Sequence, residues 1–226
     1  PRRPIVNLSL PILAKKLKEN KLEEVDEMYK KSSINLLIVG SVIFTLIWLN
    51  IDLIFQLIPN GESYAKGKYV VFFIGLAKVL DMSMGVNNEV MQNSPYYRWS
   101  VYMSVAVSII AIGTNLIFIP MFGITGAAIA TFISVFLYNL TRFAILKWKM
   151  NLNPFRWNNL GILILGVICL GLTEWVELTN IYVDLFVNGG IIMLIFVLPI
   201  YLLRLSGDFN SFVKNMAGRV GITINY

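Results

Sequence analysis

The sequence predicts an all-α fold: a polytopic membrane helix bundle of about six complete transmembrane helices plus the end of a truncated one. Of 226 residues, 57% are apolar and only 14% are charged, whereas an ordinary soluble domain carries about 25% charged residues. Mean hydropathy is +0.69, so the excess apolar surface needs lipid as its solvent. Six apolar stretches, each long enough to cross ~30 Å of hydrocarbon as a helix, are separated by short polar breaks. Little chain is left over for a water-soluble core.

Residues 5–14 (IVNLSLPILA) are apolar but too short to span, and they read as the last turns of a membrane helix. The chain opens Pro1-Arg2-Arg3-Pro4 without an initiator methionine or a signal-peptide pattern, so the expectation is a fragment lacking its N-terminal part. Residues 15–31 follow, with Lys15, Lys16, Lys18, Lys21, Lys30 and Lys31 set among five carboxylates. Leu13, Leu17, Leu22, Val25 and Met28 recur there at helical spacing, which predicts an amphipathic connector at the membrane surface. The spans are then expected at 34–58, 68–91, 99–120, 123–146, 158–176 and 181–203. The breaks between them include IPNGESYAKGK, QNSPYYR, PMFG and KWKMNLNPFRWNN. The expected organisation is a helix end and connector over 1–31, four spans over 32–146, two further spans over 147–204 and a tail over 205–226.

Charge fixes the expected sidedness. The connector lysines, Arg98, the group Arg142, Lys147, Lys149 and Arg156, and the tail residues Arg204, Lys214 and Arg219 make fourteen basic residues on one side, against Lys66 and Lys68 on the other. By the positive-inside rule the first set is cytoplasmic, and the C-terminus with it. This alternation accounts for the net charge of +6 without nucleic acid as a partner. Glu174, Glu177 and Asp184 mark an acidic outer hairpin. There is no histidine, and the single cysteine, Cys169, lies in an apolar run. Disulfide frameworks, thiol-ligated metals and histidine triads are thereby excluded, and neither a phosphate loop nor a metal-ligand cluster is present, so neither a cofactor nor enzymatic chemistry is expected.

The 68–91 span carries the informative residues, FFIGLAKVLDMSMGVNNEVMQ. On a continuous helix at 100° per residue, Lys78, Asp81, Gly85, Asn88, Glu89 and Gln92 fall within about 100° of arc, one polar stripe that should face protein or a water-filled cavity. Lys78 and Asp81 read either as cavity groups or as a structural pair neutralising each other. Glu89 reads as a cavity group or as a solvated end residue. Twelve residues of helix would lift Arg2 and Arg3 about 18 Å, near the bilayer midplane, where they could hold phosphate oxygens; fraying at Pro4 would leave them at a surface. Asn139 and Arg142, near the inner end of the fourth span, are expected to snorkel to lipid phosphates in preference to facing a passage. Gly126, Ala130 and Ser134, four apart, form a small-residue stripe for close helix packing.

Three stretches resemble the polysaccharide flippases of the multidrug/oligosaccharidyl-lipid/polysaccharide exporter superfamily, transporters of O-antigen and related lipid-linked sugars. They are LPILAKKLKENKLEEVDEMYKKSSINLLIVGS, IGLAKVLDMSMGVNNEVMQNSPYYRW and IPMFGITGAAIATFISVFLYNLTRF. The resemblance implies a C-terminal part of two helix bundles around a cavity that opens alternately to either side of the bacterial cytoplasmic membrane. It implies an undecaprenyl-pyrophosphate-linked glycan as substrate. Lys78, Arg2 and Arg3 would meet the pyrophosphate, while Asp81 and Glu89 would couple a proton or sodium ion. The alternatives are a cation-coupled small-molecule exporter of the same superfamily and a membrane-embedded enzyme of cell-envelope synthesis.

Overall fold

The computed structural model describes residues 2–172 and 187–219, the latter without 188 and 191. Among the described residues every regular element is helical. In order these are α1 (Arg2–Lys18), α2 (Leu22–Leu49), α3 (Ile51–Leu57), α4 (Gly61–Ala65), α5 (Lys68–Ser83), α6 (Asn87–Asn93), α7 (Tyr97–Phe122), α8 (Ile124–Met150) and α9 (Trp157–Leu172). A π-helical turn at Met193–Val197 then runs into α10 (Leu198–Leu202), and α11 (Gly207–Arg219) is the last described element.

Helices α2, α7 and α8 are long and apolar enough to cross a membrane, and α5 with α6 qualifies as one span bent by 52°. The described residues thus hold three helices long and apolar enough to span a membrane, or four with the bent pair, where the sequence predicts six. The expected 34–58 helix stops at Asn50, whose side-chain amide turns back to the Leu46 carbonyl at 2.8 Å. The 68–91 helix breaks at Met84–Val86. The sixteen described residues of α9 run up to the edge of the described segment. Residues 173–186 lie outside the described residues, and with them the ends of two expected spans and the Glu174, Glu177 and Asp184 hairpin.

The surface connector expected over 15–31 is not a separate element. Helix α1 ends on Asn20 in the left-handed region, φ 56°. There the Lys21 N–H bonds the Lys16 carbonyl at 3.0 Å and the Asn20 N–H bonds the Leu17 carbonyl at 3.2 Å, the pair of bonds that seals a helix C-terminus. From Leu22 a single helix of 28 residues runs straight through position 31 into the apolar segment. Leu13 and Val25, two of the apolar positions of the expected surface face, are instead fully buried with Tyr29 of α2, Val90 and Met91 of α6 and Leu146 of α8. The helical spacing is real, but it serves packing against protein.

Helix α2 is the central member. Its first turns join the cluster just described, and its later turns, through Ile34, Leu37, Ile38 and Phe44, pack with Val79 of α5, Ile162 and Cys169 of α9 and Phe196. Helices α7 and α8 form a tight hairpin. Gly123 at the turn takes φ 58° and ψ −134°, a conformation available to glycine. Three residues on, a Cβ at Gly126 would lie 1.9 Å from the Phe118 carbonyl oxygen. Gly126, Ala130 and Ser134 are all buried, as the small-residue stripe predicts. The outer side of α7 exposes Val101, Val105, Ile109, Ile112 and Leu116, a surface suited to lipid or another apolar helix.

Candidate functional site

The break between α5 and α6 organises the site. Gly85 sits at φ 56°, and its backbone comes so close to α2 that an added Cβ would meet Ser32 Oγ at 2.6 Å and Ser33 N at 2.8 Å. Breaking a helix in a membrane protein frees backbone groups that must find other partners. Here α2 supplies them: the Val86 N–H donates to Ser32 Oγ at 3.2 Å, and Ser33 Oγ donates to the Ser83 carbonyl at 2.5 Å. Ser33 Oγ also accepts from Asn159 Nδ2 at 2.8 Å, which ties the start of α9 to the same point. Two adjacent serines on one helix therefore hold the break open.

The bend turns Asn87 inward, where it is fully buried. Its Nδ2 donates to Asn139 Oδ1 on α8 at 2.9 Å, and Asn139 Nδ2 donates in turn to Asp81 Oδ1 on α5 at 3.2 Å. On the other side, Arg142 Nη1 donates to Asn87 Oδ1 at 3.4 Å. A hydrogen-bonded chain thus runs from a carboxylate through two asparagines to a guanidinium. Arg142 is only 2% exposed and lies over the Tyr138 ring, 4.1 Å from its centroid. Tyr138 Oη is 3.2 Å from Ser104 Oγ of α7.

Arg142 is under-compensated for a buried cation. It makes no ion pair among the described residues, its hydrogen bond to Asn87 is long, and its buried Nε has no partner. The Tyr29 hydroxyl, buried on α2, also lacks a partner. Arg142, Asp26 and Glu89 all lie within electrostatic range of that phenol. Removing a guanidinium from water costs several kcal/mol, and neutral amides with a ring face offset only part of it.

The sequence-predicted residues are distributed differently from one continuous stripe. Lys78 and Asp81 lie on α5, and Asn88 and Glu89 lie beyond the break on α6. Lys78 is exposed and Asp81 half-buried, and no direct ion pair joins the two. Asn88 is half-buried and accepts from Gln92 Nε2 at 3.1 Å through its Oδ1. Glu89 is half-buried, and its backbone carbonyl accepts from Asn93 Nδ2 at 2.8 Å. Arg2 and Arg3 open α1, and their side chains lie outside the described residues.

Arg142 does not snorkel, since burial removes it from lipid phosphates. The sequence points to Asn139 and Arg142, but their place near a helix end favours snorkelling over the inward-facing alternative; Asn87 and Tyr138 carry no such signal. The available signal is the Asn139/Arg142 spacing of three, which puts both on one side of α8. Among the described residues, no group of three or more carboxylates or cysteines is placed to hold a metal ion. Comparisons with protein families, with curated proteins and with solved structures return no match to this chain.

Proposed function

We propose that the chain is the C-terminal part of a membrane transporter that moves a lipid-linked, anionic oligosaccharide precursor across the bacterial cytoplasmic membrane by alternating access. The observation that carries this reading is Arg142: a buried cation, paired with no carboxylate among the described residues, beside a spanning helix that is already broken. A buried charge of that kind is costly to keep and marks a pathway by default. Its unfilled Nε and the neighbouring Tyr29 hydroxyl are donors suited to pyrophosphate oxygens. Lys78, exposed on the same α5–α6 unit, supplies a second cation for the headgroup.

Asp81 sits at the opposite end of the Asn139–Asn87 chain from Arg142. Uptake of a proton or a sodium ion at Asp81 alters what Asn139 donates to, and the change passes through Asn87 to the guanidinium. The Gly85 bend gives α6 a hinge about which that change can move it. The rival reading, a cation-coupled small-molecule exporter, is favoured by Asp81 and Glu89 but leaves Arg142 without a task.

The test is complementation of cells lacking surface-glycan export by the full-length parent protein carrying Arg142→Gln or Lys78→Ala. Both variants are expected to reach the membrane at normal abundance and to export little glycan. Full export by both would retire the reading. Efflux of small cations with no effect on glycan would favour the rival.

A further inference from the structure

A second basic site lies at a different place, where the ends of α2, α9 and α10 meet. A cavity of about 310 Å³ is lined there by Lys31, Arg156, Arg204, Asn35, Ser206 and Asp208, among others. Lys31 is the last charged residue before the apolar part of α2, Arg156 the last before α9, and Arg204 the first after α10. Three boundary charges from three apolar helices thus converge at one level, the level at which lipid phosphates lie.

The cavity is built and held. Asn158 Nδ2 donates to the Leu205 carbonyl at 2.8 Å, Ser206 Oγ donates to Asn35 Oδ1 at 2.6 Å, and Arg156 Nη2 is anchored on Glu27 at 2.5 Å. The one lining carboxylate, Asp208, is engaged by Asn35 Nδ2 at 2.7 Å. Lys31 and Arg204 are exposed and make no ion pair among the described residues. Arg204 also takes φ 51° at the end of α10, a position where asparagine or glycine is at ease and arginine is strained. The Arg204 N–H bonds the Tyr201 carbonyl and the Leu205 N–H the Ile200 carbonyl, each at 3.2 Å, the closing bonds of a helix C-terminus that fix this φ and the place of Arg204 beside the cavity. Trp157, next in the chain to Arg156, is 88% exposed, and Leu203, next to Arg204, is 66% exposed, apolar surface adjoining two of the lining cations that a free anion does not need and an acyl chain does.

We infer that this cavity binds the phosphate of an anionic phospholipid, with Arg204 and Lys31 on the phosphate oxygens and the acyl chains against the Leu203 and Trp157 border. The site stands independently of the transport reading.

The chain purified in detergent micelles is titrated with phosphatidylglycerol, phosphatidylcholine or inorganic phosphate, with the thermal unfolding midpoint and lipid retention in native mass spectrometry as readouts. Phosphatidylglycerol is expected to raise the midpoint and to be retained, while the other two do neither. Lys31→Gln weakens the apparent affinity by about tenfold, the loss of one charge-assisted bond. Arg204→Asn, which keeps the left-handed backbone, weakens it at least as much. Equal effects of phosphatidylcholine, or unchanged affinity in both variants, overturn the site. The same shift from inorganic phosphate overturns its assignment to a lipid. Lys31 is on the surface, so its variant remains readable even if changes at Arg204 disturb the fold.

Discussion

The Ser32 hydroxyl on α2 accepts the Val86 backbone N–H across the α5–α6 break at 3.2 Å. That bond requires the Gly85 backbone to lie against Ser32, where a Cβ would come within 2.6 Å of the hydroxyl in a left-handed conformation. Gly85→Ala is therefore expected to lower stability by about 1–3 kcal/mol, the range for backbone strain with overpacking. Gly113→Ala on α7 is its control: nothing lies within 4 Å of the added Cβ, and a helix-interior alanine should add about 0.5–1 kcal/mol. Thermal unfolding of the two variants in the same micelles makes the comparison, and equal midpoints would show that close approach does not hold the bend.

The α7–α8 hairpin gives a second, sharper case. A Cβ at Gly126 would sit 1.9 Å from the Phe118 carbonyl oxygen and 2.4 Å from its carbon. Backbone cannot swing aside as a side-chain tip does, so Gly126→Ala should reach or exceed the upper end of the 1–3 kcal/mol cost of overpacking, about 3 kcal/mol. Protease sensitivity near the Gly123 turn, measured alongside the unfolding midpoint, should rise in this variant.

The apolar helices and their order were readable because hydrophobic length and helical spacing are local properties of the chain. The hairpin break at Pro120 and Gly123 and the small stripe on α8 were readable for the same reason. The break at Gly85 was not, because a lone glycine in an apolar helix is ordinary; what makes it a break is Ser32 and Ser33, some fifty residues away. Arg142 was misplaced for a related reason. Its distance along α8 from the end could be counted, but its burial depends on α5, α6 and α2 closing over it. The polar stripe Lys78–Glu89 was half legible: the residues are there, but the bend puts them on two helices.

Arg142 separates stability from activity. Replacing a buried, poorly compensated charge with an apolar residue of similar length removes a desolvation penalty, so Arg142→Met is expected to be neutral or to stabilise by up to about 1–4 kcal/mol. Glycan export should nevertheless be lost. Asn87→Leu acts in the opposite sense, stripping the guanidinium of its hydrogen bond and leaving Asn139 Oδ1 unfilled, at a cost of about 2 kcal/mol or more. A destabilised Arg142→Met would mean that the site is structural.

Lys78 and Asp81 are best resolved by a double-mutant cycle. Three residues apart on one helix they have the spacing of a pair, yet Lys78 is exposed and Asp81 accepts its hydrogen bond from Asn139. Lys78→Ala alone is expected to change stability by less than about 0.5 kcal/mol, as for a surface position. Asp81→Asn should cost more, about 1 kcal/mol, because it weakens a charge-assisted acceptor at the end of the buried chain. The two effects should add within about 0.5 kcal/mol, the limit for residues without a shared bond. Coupling well beyond that, measured by unfolding of the single and double variants, would restore the neutralising pair and move Lys78 out of the substrate path. Additivity in stability together with loss of export in each single variant places both groups in the transport cycle.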